Sequence, residues 1–324
     1  MTKNILITRE IPSTAVSLLE EHGYSVDVNK QDTILTSEEI INLLKQKPYD
    51  GVITLLTDKI DKSVFEVAPS VKIFSNFASG YDNIDIDEAK AHGVAVTNAP
   101  TDLSSLAVAE HTIGMILALA NRITEADRFV RNGKYAGWEP MGFLGTNIVG
   151  KTLGLVGDGR IGEKVAELAK GLGFKVIYTD INRNKKLEDE LGVVFCNSLE
   201  ELLPQADFVS LHVPLLPSTK HLINEKTLRL MKPTAYLINT SRGPVIDELA
   251  LQKILKEKVI AGAGLDVFEF EPTISPVLLE LENTVLTPHI ASANLDAREA
   301  MATVAAQNII DFFEGKELKN IITK

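Results

Sequence analysis

Apolar positions along the chain fall into short β-branched runs that alternate with stretches of helical period. In the first third these runs cover residues 4–8, 25–28, 51–55, 72–76 and 94–97, each of strand length and bounded by turn-forming residues. Between them, residues 12–21 turn Leu18 and Leu19 inward, and residues 37–46 do the same with Ile40, Leu43 and Leu44, as amphipathic helices require. Residues 102–122 form a longer helical pattern too apolar for a solvated surface helix. It is expected to be buried, inside the chain or at a subunit contact. A second series begins at Lys151, with a strand over 152–156, a helix over 160–172 and a strand over 175–179. Strands at 208–212, 235–239, 260–263 and 284–286 follow, and a last helix over 293–313 ends near Gly315. Strands alternating with helices predict α/β architecture with parallel sheets covered on both faces. The two series predict two doubly wound domains. The last helix is free to return to the first, with crossings near Pro100 and near residues 288–291.

Length and composition narrow this picture. A chain of 324 residues suits two domains of ordinary size. With 45% hydrophobic and 24% charged residues, disordered and collagen-like chains are excluded. The apolar run at residues 113–120 is eight residues long against the ~20 a bilayer span requires, so no membrane partner is expected. The first eight residues are too short in apolar content for a signal peptide and read as a strand. Cys196 is the one cysteine; it rules out internal disulfides and CxxC sites, is expected to be a small buried hydrophobe, and suits a cytoplasmic protein. The net charge is −11 without a basic block, which argues against nucleic acid or an anionic membrane as partner. One or two placed arginines can still hold a small anion.

Chemistry is concentrated in four loops. GDGRIG at 157–162 follows a strand and opens a helix. Gly157, Gly159 and Gly162 there allow a tight turn, approach of backbone to a pyrophosphate and close helix packing, and the helix N-terminus favours the anion. Asp180 ends the next strand, eighteen residues beyond Gly162. A carboxylate there accepts the ribose hydroxyls and repels a 2′-phosphate, favouring NAD over NADP. Asp158 places a negative charge inside this loop, so it is expected to point away from the pyrophosphate or to be neutralised by Arg160; Arg183 leaves room for NADP. The other loops follow apolar strands: NTSRG at 239–243, with Thr240 and Arg242; GLDVFEFEP at 264–272, with Asp266 and Glu271; and TPHIAS at 287–292, with His289. Ligands of open α/β sheets bind outside the carboxyl ends of the strands, where these side chains can converge. An arginine clamps a carboxylate, a histidine exchanges a proton with a hydroxyl or carbonyl oxygen, and a glutamate orients and charges that histidine. Each residue alone also suits an ordinary surface role. His22, His92, His111, His212 and His221 show no metal-ligand spacing, and His111 is read as a packed or interface histidine.

Taken together, GDGRIG at 157–162, HVP at 212–214, NTSRG at 239–243, GAGLDVFEFEP at 262–272 and LTPHIAS at 286–292 resemble the D-isomer-specific 2-hydroxyacid dehydrogenases over essentially the whole chain. The run at 138–145 is most similar to the glyoxylate/hydroxypyruvate reductase branch. The resemblance implies a flavodoxin-like substrate domain at 1–100 plus 290–324, and a Rossmann NAD-binding domain at 101–289. It implies hydride transfer between NAD(H) and a small anionic 2-keto or 2-hydroxy acid. Arg242 matches the substrate-binding arginine, Glu271 the acid of the acid–histidine pair, and His289 the general acid/base. Ser79 and Gly80 match amides that hold the substrate carboxylate, and Leu55 and Leu56 are expected to wall the pocket. Val108, Arg160, Ile161, Asp180, Pro214, Thr240 and Asp266 match dinucleotide contacts. Ser79 stands where the reductases carry an apolar residue. The resemblance further implies a homodimer through the NAD-binding domain. Dehydrogenases of larger acids such as D-lactate, a phosphoglycerate dehydrogenase, and a nucleotide-sensing corepressor share the pattern; the chain ends at Lys324 without the extension of the phosphoglycerate enzymes.

Overall fold

The computed structural model describes residues 2–323. The elements run β1 (Asn4–Ile7), α1 (Thr14–Glu21), β2 (Ser25–Val28), α2 (Ser37–Leu44), β3 (Gly51–Leu55), α3 (Lys62–Val67), β4 (Ile73–Phe77), α4 (Ile86–Ala91), β5 (Ala95–Thr97), α5 (Asp102–Ala120) and α6 (Ile123–Arg131). There follow β6 (Thr152–Val156), α7 (Arg160–Gly171), β7 (Lys175–Thr179), α8 (Lys185–Leu191), β8 (Val194–Phe195), α9 (Leu199–Leu202), β9 (Phe208–Leu211) and α10 (Glu225–Leu228). The last are β10 (Tyr236–Asn239), a 3-10 turn (Gly243–Val245), α11 (Glu248–Lys256), β11 (Gly262–Leu265), α12 (Pro276–Glu280), β12 (Thr284–Leu286) and α13 (Leu295–Phe313). The chain divides into two compact units, Met1–Ser104 with Ala293–Lys324, and Ser105–Ser292.

The first unit is a five-stranded sheet of order β2-β1-β3-β4-β5, parallel throughout. Its strands are apolar on both faces because both faces are covered. Leu6, Val52 and Phe74 pack on the side of Ile40 and Phe65. Ile5, Ile7, Ile53 and Ile73 pack on the other side against Leu19 and against Met301, Ala305 and Ile309 of α13. The final helix therefore supplies part of the first unit's core. Its start is fixed by Asn294, whose side chain accepts from the Asp296 amide at 3.0 Å as an N-cap.

The second unit is a seven-stranded parallel sheet, β12-β11-β10-β9-β6-β7-β8. The order reverses between β6 and β9, which opens a crevice beyond their carboxyl ends. Helix α5 is, by length and composition, apolar enough to cross a membrane, with mean hydropathy 1.6 over an 18-residue window. Here Ala109, Met115, Ile116 and Leu119 share a core with Leu153, Leu155 and Ile238, so its apolarity serves burial. The helical pattern expected to run to residue 122 stops at Ala120 because Arg122 takes a left-handed φ of 56° and starts α6. The architecture is the expected α/β pair of doubly wound parallel sheets; the strands at 25–28, 51–55, 152–156, 175–179 and 284–286 have the expected ends, and the other predicted strands shift at one or both ends by one or two residues.

Replacing Ile309, fully buried on the sheet, by alanine should cost about 2–5 kcal/mol in denaturant unfolding. Leu295→Ala on the same helix, at 73% exposure, should stay within about 0.5 kcal/mol. Equal losses would contradict the assignment of α13 to this core.

Candidate active site and dinucleotide loop

The loop after β6 turns sharply at Gly157, where φ is +97°. A Cβ on Gly157 would lie 2.7 Å from the His212 carbonyl oxygen, and one on Gly162 would lie 2.3 Å from that of Gly157. Only glycine fits both places, so the loop lies flat on the end of β9 and the first turn of α7 is tight against it. Gly159 caps α7 without a side-chain acceptor, which leaves the first-turn amides directed at a ligand. These features fit a dinucleotide pyrophosphate. Asp180 follows β7, with Oδ1 accepting from the Ile181 amide at 2.6 Å and Oδ2 from the Asp158 amide at 3.0 Å. Of the two alternatives the sequence left open for Asp158, neutralisation by Arg160 is not seen: among the described residues the side chains acting on it are those of Asp180 and Asn184. Its carboxyl lies against that of Asp180, and burial followed by this neighbour raises it to about 6. Arg160 is exposed at the first position of α7, Ile161 is half-buried, and Pro214 is exposed with its carbonyl accepting from Thr219 Oγ1 at 2.6 Å. Val108 is buried on α5; the Thr112 hydroxyl donates to its carbonyl and sits 2.9 Å from the Thr240 hydroxyl.

Beyond β10, β11 and β12 stand Arg242, Glu271 and His289, all in the second unit. His289 Nδ1 lies 3.0 Å from Glu271 Oε2. Burial opposes ionisation of Glu271, but the His289 hydrogen bond, the Phe268 amide at 2.9 Å and the fields of His289 and Arg242 outweigh it. The carboxyl is held below its usual value. Glu271 is therefore ionised through the neutral range. Arg242 donates from Nη1 to the Ser241 carbonyl at 2.8 Å, and the Asn239 side chain holds the turn by donating to the Arg242 carbonyl at 2.9 Å.

Several supports of these side chains are not visible in the sequence. Asp266 is fully buried, and its carboxylate holds the loop that carries His289. Oδ1 accepts from Thr287 Oγ1 at 2.6 Å and the Ile290 amide at 2.8 Å, while Oδ2 accepts from the Ala291 amide at 2.8 Å. His289 itself has a left-handed φ of 56°, a conformation uncommon outside glycine. His111 packs here, with Nε2 3.1 Å from Thr287 Oγ1; the threonine proton is engaged by Asp266, so the imidazole donates. A second brace joins the Arg242 and Glu271 loops. The Glu248 amide donates to Glu269 Oε2 at 3.0 Å, the Glu269 amide to Glu248 Oε2 at 2.9 Å, and His221 Nε2 stands 2.6 Å from Glu269 Oε1. Gly243 allows this approach, since a Cβ there would overlap the Phe268 carbonyl.

Ser79, Gly80 and Leu56 belong to the first unit. The Asn98 side chain donates to the Ser79 carbonyl at 2.6 Å, and that of Asn76 to the Gly80 carbonyl at 2.9 Å. Asn83 donates to the carbonyls of Leu55 and Asp58, each at 3.0 Å. Two asparagines thus hold the carbonyls of Ser79 and Gly80, and Asn83 holds the loop after β3. Among the described residues no group of three or more metal-ligating side chains occurs. Cys196 is buried.

Comparison with known proteins gives a coherent result. The sequence profile of the D-isomer specific 2-hydroxyacid dehydrogenase NAD-binding domain matches residues 113–291. The glyoxylate reductase of Thermococcus litoralis is 47% identical over 328 aligned residues, covering 100% of this chain and 98% of that protein. A solved structure from Thermus thermophilus superposes with a TM-score of 0.91 at 38% identity, covering 98% of this chain and 99% of the other. The NADPH-dependent glyoxylate/hydroxypyruvate reductase of Sinorhizobium meliloti, solved with NADP and malonate, superposes with a TM-score of 0.85 at 29% identity, covering 99% and 97%.

Asp266→Asn turns an amide donor toward backbone donors, and should cost about 1–3 kcal/mol of second-unit stability in chemical denaturation. An unchanged unfolding midpoint would contradict the anchoring role.

Proposed function

The chain belongs to the D-isomer-specific 2-hydroxyacid dehydrogenases, and from that premise we propose that it reduces glyoxylate or hydroxypyruvate to the D-hydroxy acid with NADH. The observation that carries the proposal is the 3.0 Å contact of His289 Nδ1 with the ionised Glu271, in the field of Arg242. In this reading NADH supplies the hydride to the keto carbon. His289 delivers a proton to the keto oxygen from Nε2, the nitrogen that Glu271 leaves unengaged. Glu271 fixes the orientation of the imidazole through Nδ1 and sets a carboxylate charge beside it. Arg242 clamps the substrate carboxylate and polarises the carbonyl, and the amides of Ser79 and Gly80 complete the carboxylate site, with Leu56 as a wall that suits a small acid. Gly157, Gly159 and Gly162 with the α7 N-terminus receive the pyrophosphate, and Asp180 receives the ribose hydroxyls. Arg160, Ile161, Pro214, Thr240 and Val108 line the remaining dinucleotide path, and Asp266 adds a carboxamide contact to its anchoring of the loop. Residues 1–100 with 290–324 are read as the substrate domain and 101–289 as the NAD-binding domain.

We also propose a cytoplasmic homodimer through the NAD-binding domain. An open apolar groove of about 440 Å³ between α5 and α7 is lined by Ile113, Leu117, Leu168 and Leu172 with Glu110 and Glu167. The segment after α6 carries Trp138 at 83% and Met141 at 75% exposure, apolar surface that a partner subunit would cover.

With a panel of 2-keto acids, NADH oxidation should be fastest with glyoxylate or hydroxypyruvate; preference for a bulky keto acid would overturn the substrate assignment. His289→Ala should lower kcat by roughly 10²–10⁴-fold, whereas Arg242→Ala should raise KM and lower kcat together. Sedimentation at micromolar concentration should give a dimer, and a monomer would refute the interface.

A further inference from the structure

The dinucleotide loop carries a second carboxyl that the pyrophosphate turn does not require. The Asp158 amide donates to Asp180 Oδ2 at 3.0 Å, and the two side-chain carboxyls face each other beside the side-chain carboxamide of Asn184. Asp158 Oδ2 is enclosed and has no hydrogen-bond partner among the described residues. Of the neighbouring groups, Arg183 is engaged elsewhere and His212 is neutral. Arg183 is held by Glu188 at 2.7 Å, and Glu188 also accepts from the Tyr178 hydroxyl at 2.8 Å. Arg160 is exposed at the start of α7, and the His212 imidazole on the β9 side is lowered by burial to about 3.

We propose that Asp158 is a second residue determining dinucleotide specificity: when ionised, it adds its charge to that of Asp180 against a 2′-phosphate, and when protonated it withdraws that charge. The proposal rests on the reading of Asp180 as the ribose-binding acid. Two facing carboxyls do not ionise independently, and burial followed by the Asp180 contact moves Asp158 up to about 6. Below that value the pair carries one negative charge, and above it two. Discrimination against NADPH therefore steepens as pH rises through this range. The phosphate of NADPH also gains charge near pH 6, so the wild-type trend alone does not separate the two sources. Asp158→Asn keeps the backbone donor to Asp180 and removes the titrating charge.

The test is direct titration of the full chain with NADH and with NADPH, followed by nicotinamide fluorescence, from about pH 5 to about pH 8. The ratio of the NADPH Kd to the NADH Kd should climb on the order of tenfold more in the wild type than in Asp158→Asn. Asp158→Ala provides a second variant without the charge. Carboxyl-detected NMR of the wild-type protein should show Asp158 titrating at about 6. A ratio that climbs equally in wild type and variants, or an Asp158 carboxyl titrating near the ordinary value of about 4, would overturn the proposal. No keto acid is present in these titrations, so their result is separate from the substrate reading.

Discussion

Asp266 is fully enclosed, and both its carboxyl oxygens accept hydrogen bonds from the loop that carries His289. A buried carboxylate is tolerated only when its acceptors are satisfied, so the loop and the acid stabilise each other. This constraint explains how His289 persists at a φ of 56°, a conformation with a strain cost of order 1–3 kcal/mol that the surroundings must offset. With the loop fixed, the imidazole stands with Nδ1 3.0 Å from Glu271 Oε2. The reciprocal Glu248–Glu269 bonds do the same for the neighbouring loops. The proposed proton donor is thereby set on strand ends and buried acids rather than on mobile loops, as precise catalytic geometry demands.

The two parallel sheets were legible because their strands are continuous apolar runs. Such runs identify a sheet buried on both faces without knowledge of which residue faces which side. Short elements were not legible. Helix α3 is six residues long, and its N-cap Asp61 resembles any loop aspartate. Helix α6 was missed as well: the expected helix ends at Arg122, the left-handed residue that separates α5 from α6 and is of a type that seldom adopts that conformation. Strand β8 is two residues at a sheet edge, below the length at which alternation is informative.

The loops that carry Arg242, Glu271 and His289 stand out in the sequence because charged residues directly follow apolar strands. What holds them does not stand out. Glu248 and Glu269 are twenty-one residues apart and touch only because Gly243 admits the close approach. The asparagines around Ser79 and Gly80 donate to carbonyls, which any loop residue with a side-chain donor could do. Asp158 is the instructive departure. Its neighbour in sequence, Arg160, offers a natural partner, yet the flat turn at Gly157 directs it to Asp180 across the loop. Local charge pairing was outweighed by backbone geometry.

The central claim is that Glu271 acts on catalysis through the charge of His289 and not only through its orientation. Glu271 is held below its usual pKa by the net effect of its partners, so it is a carboxylate wherever reduction is measured near neutrality. The most direct measurement is the pH profile of keto-acid reduction by Glu271→Gln beside the wild type. Glutamine keeps the ring contact and removes the charge. Activity of the variant should approach that of the wild type at low pH and fall away at lower pH than the wild type does as pH rises. A loss of the same size at every pH would contradict the account and leave Glu271 as a positioning residue.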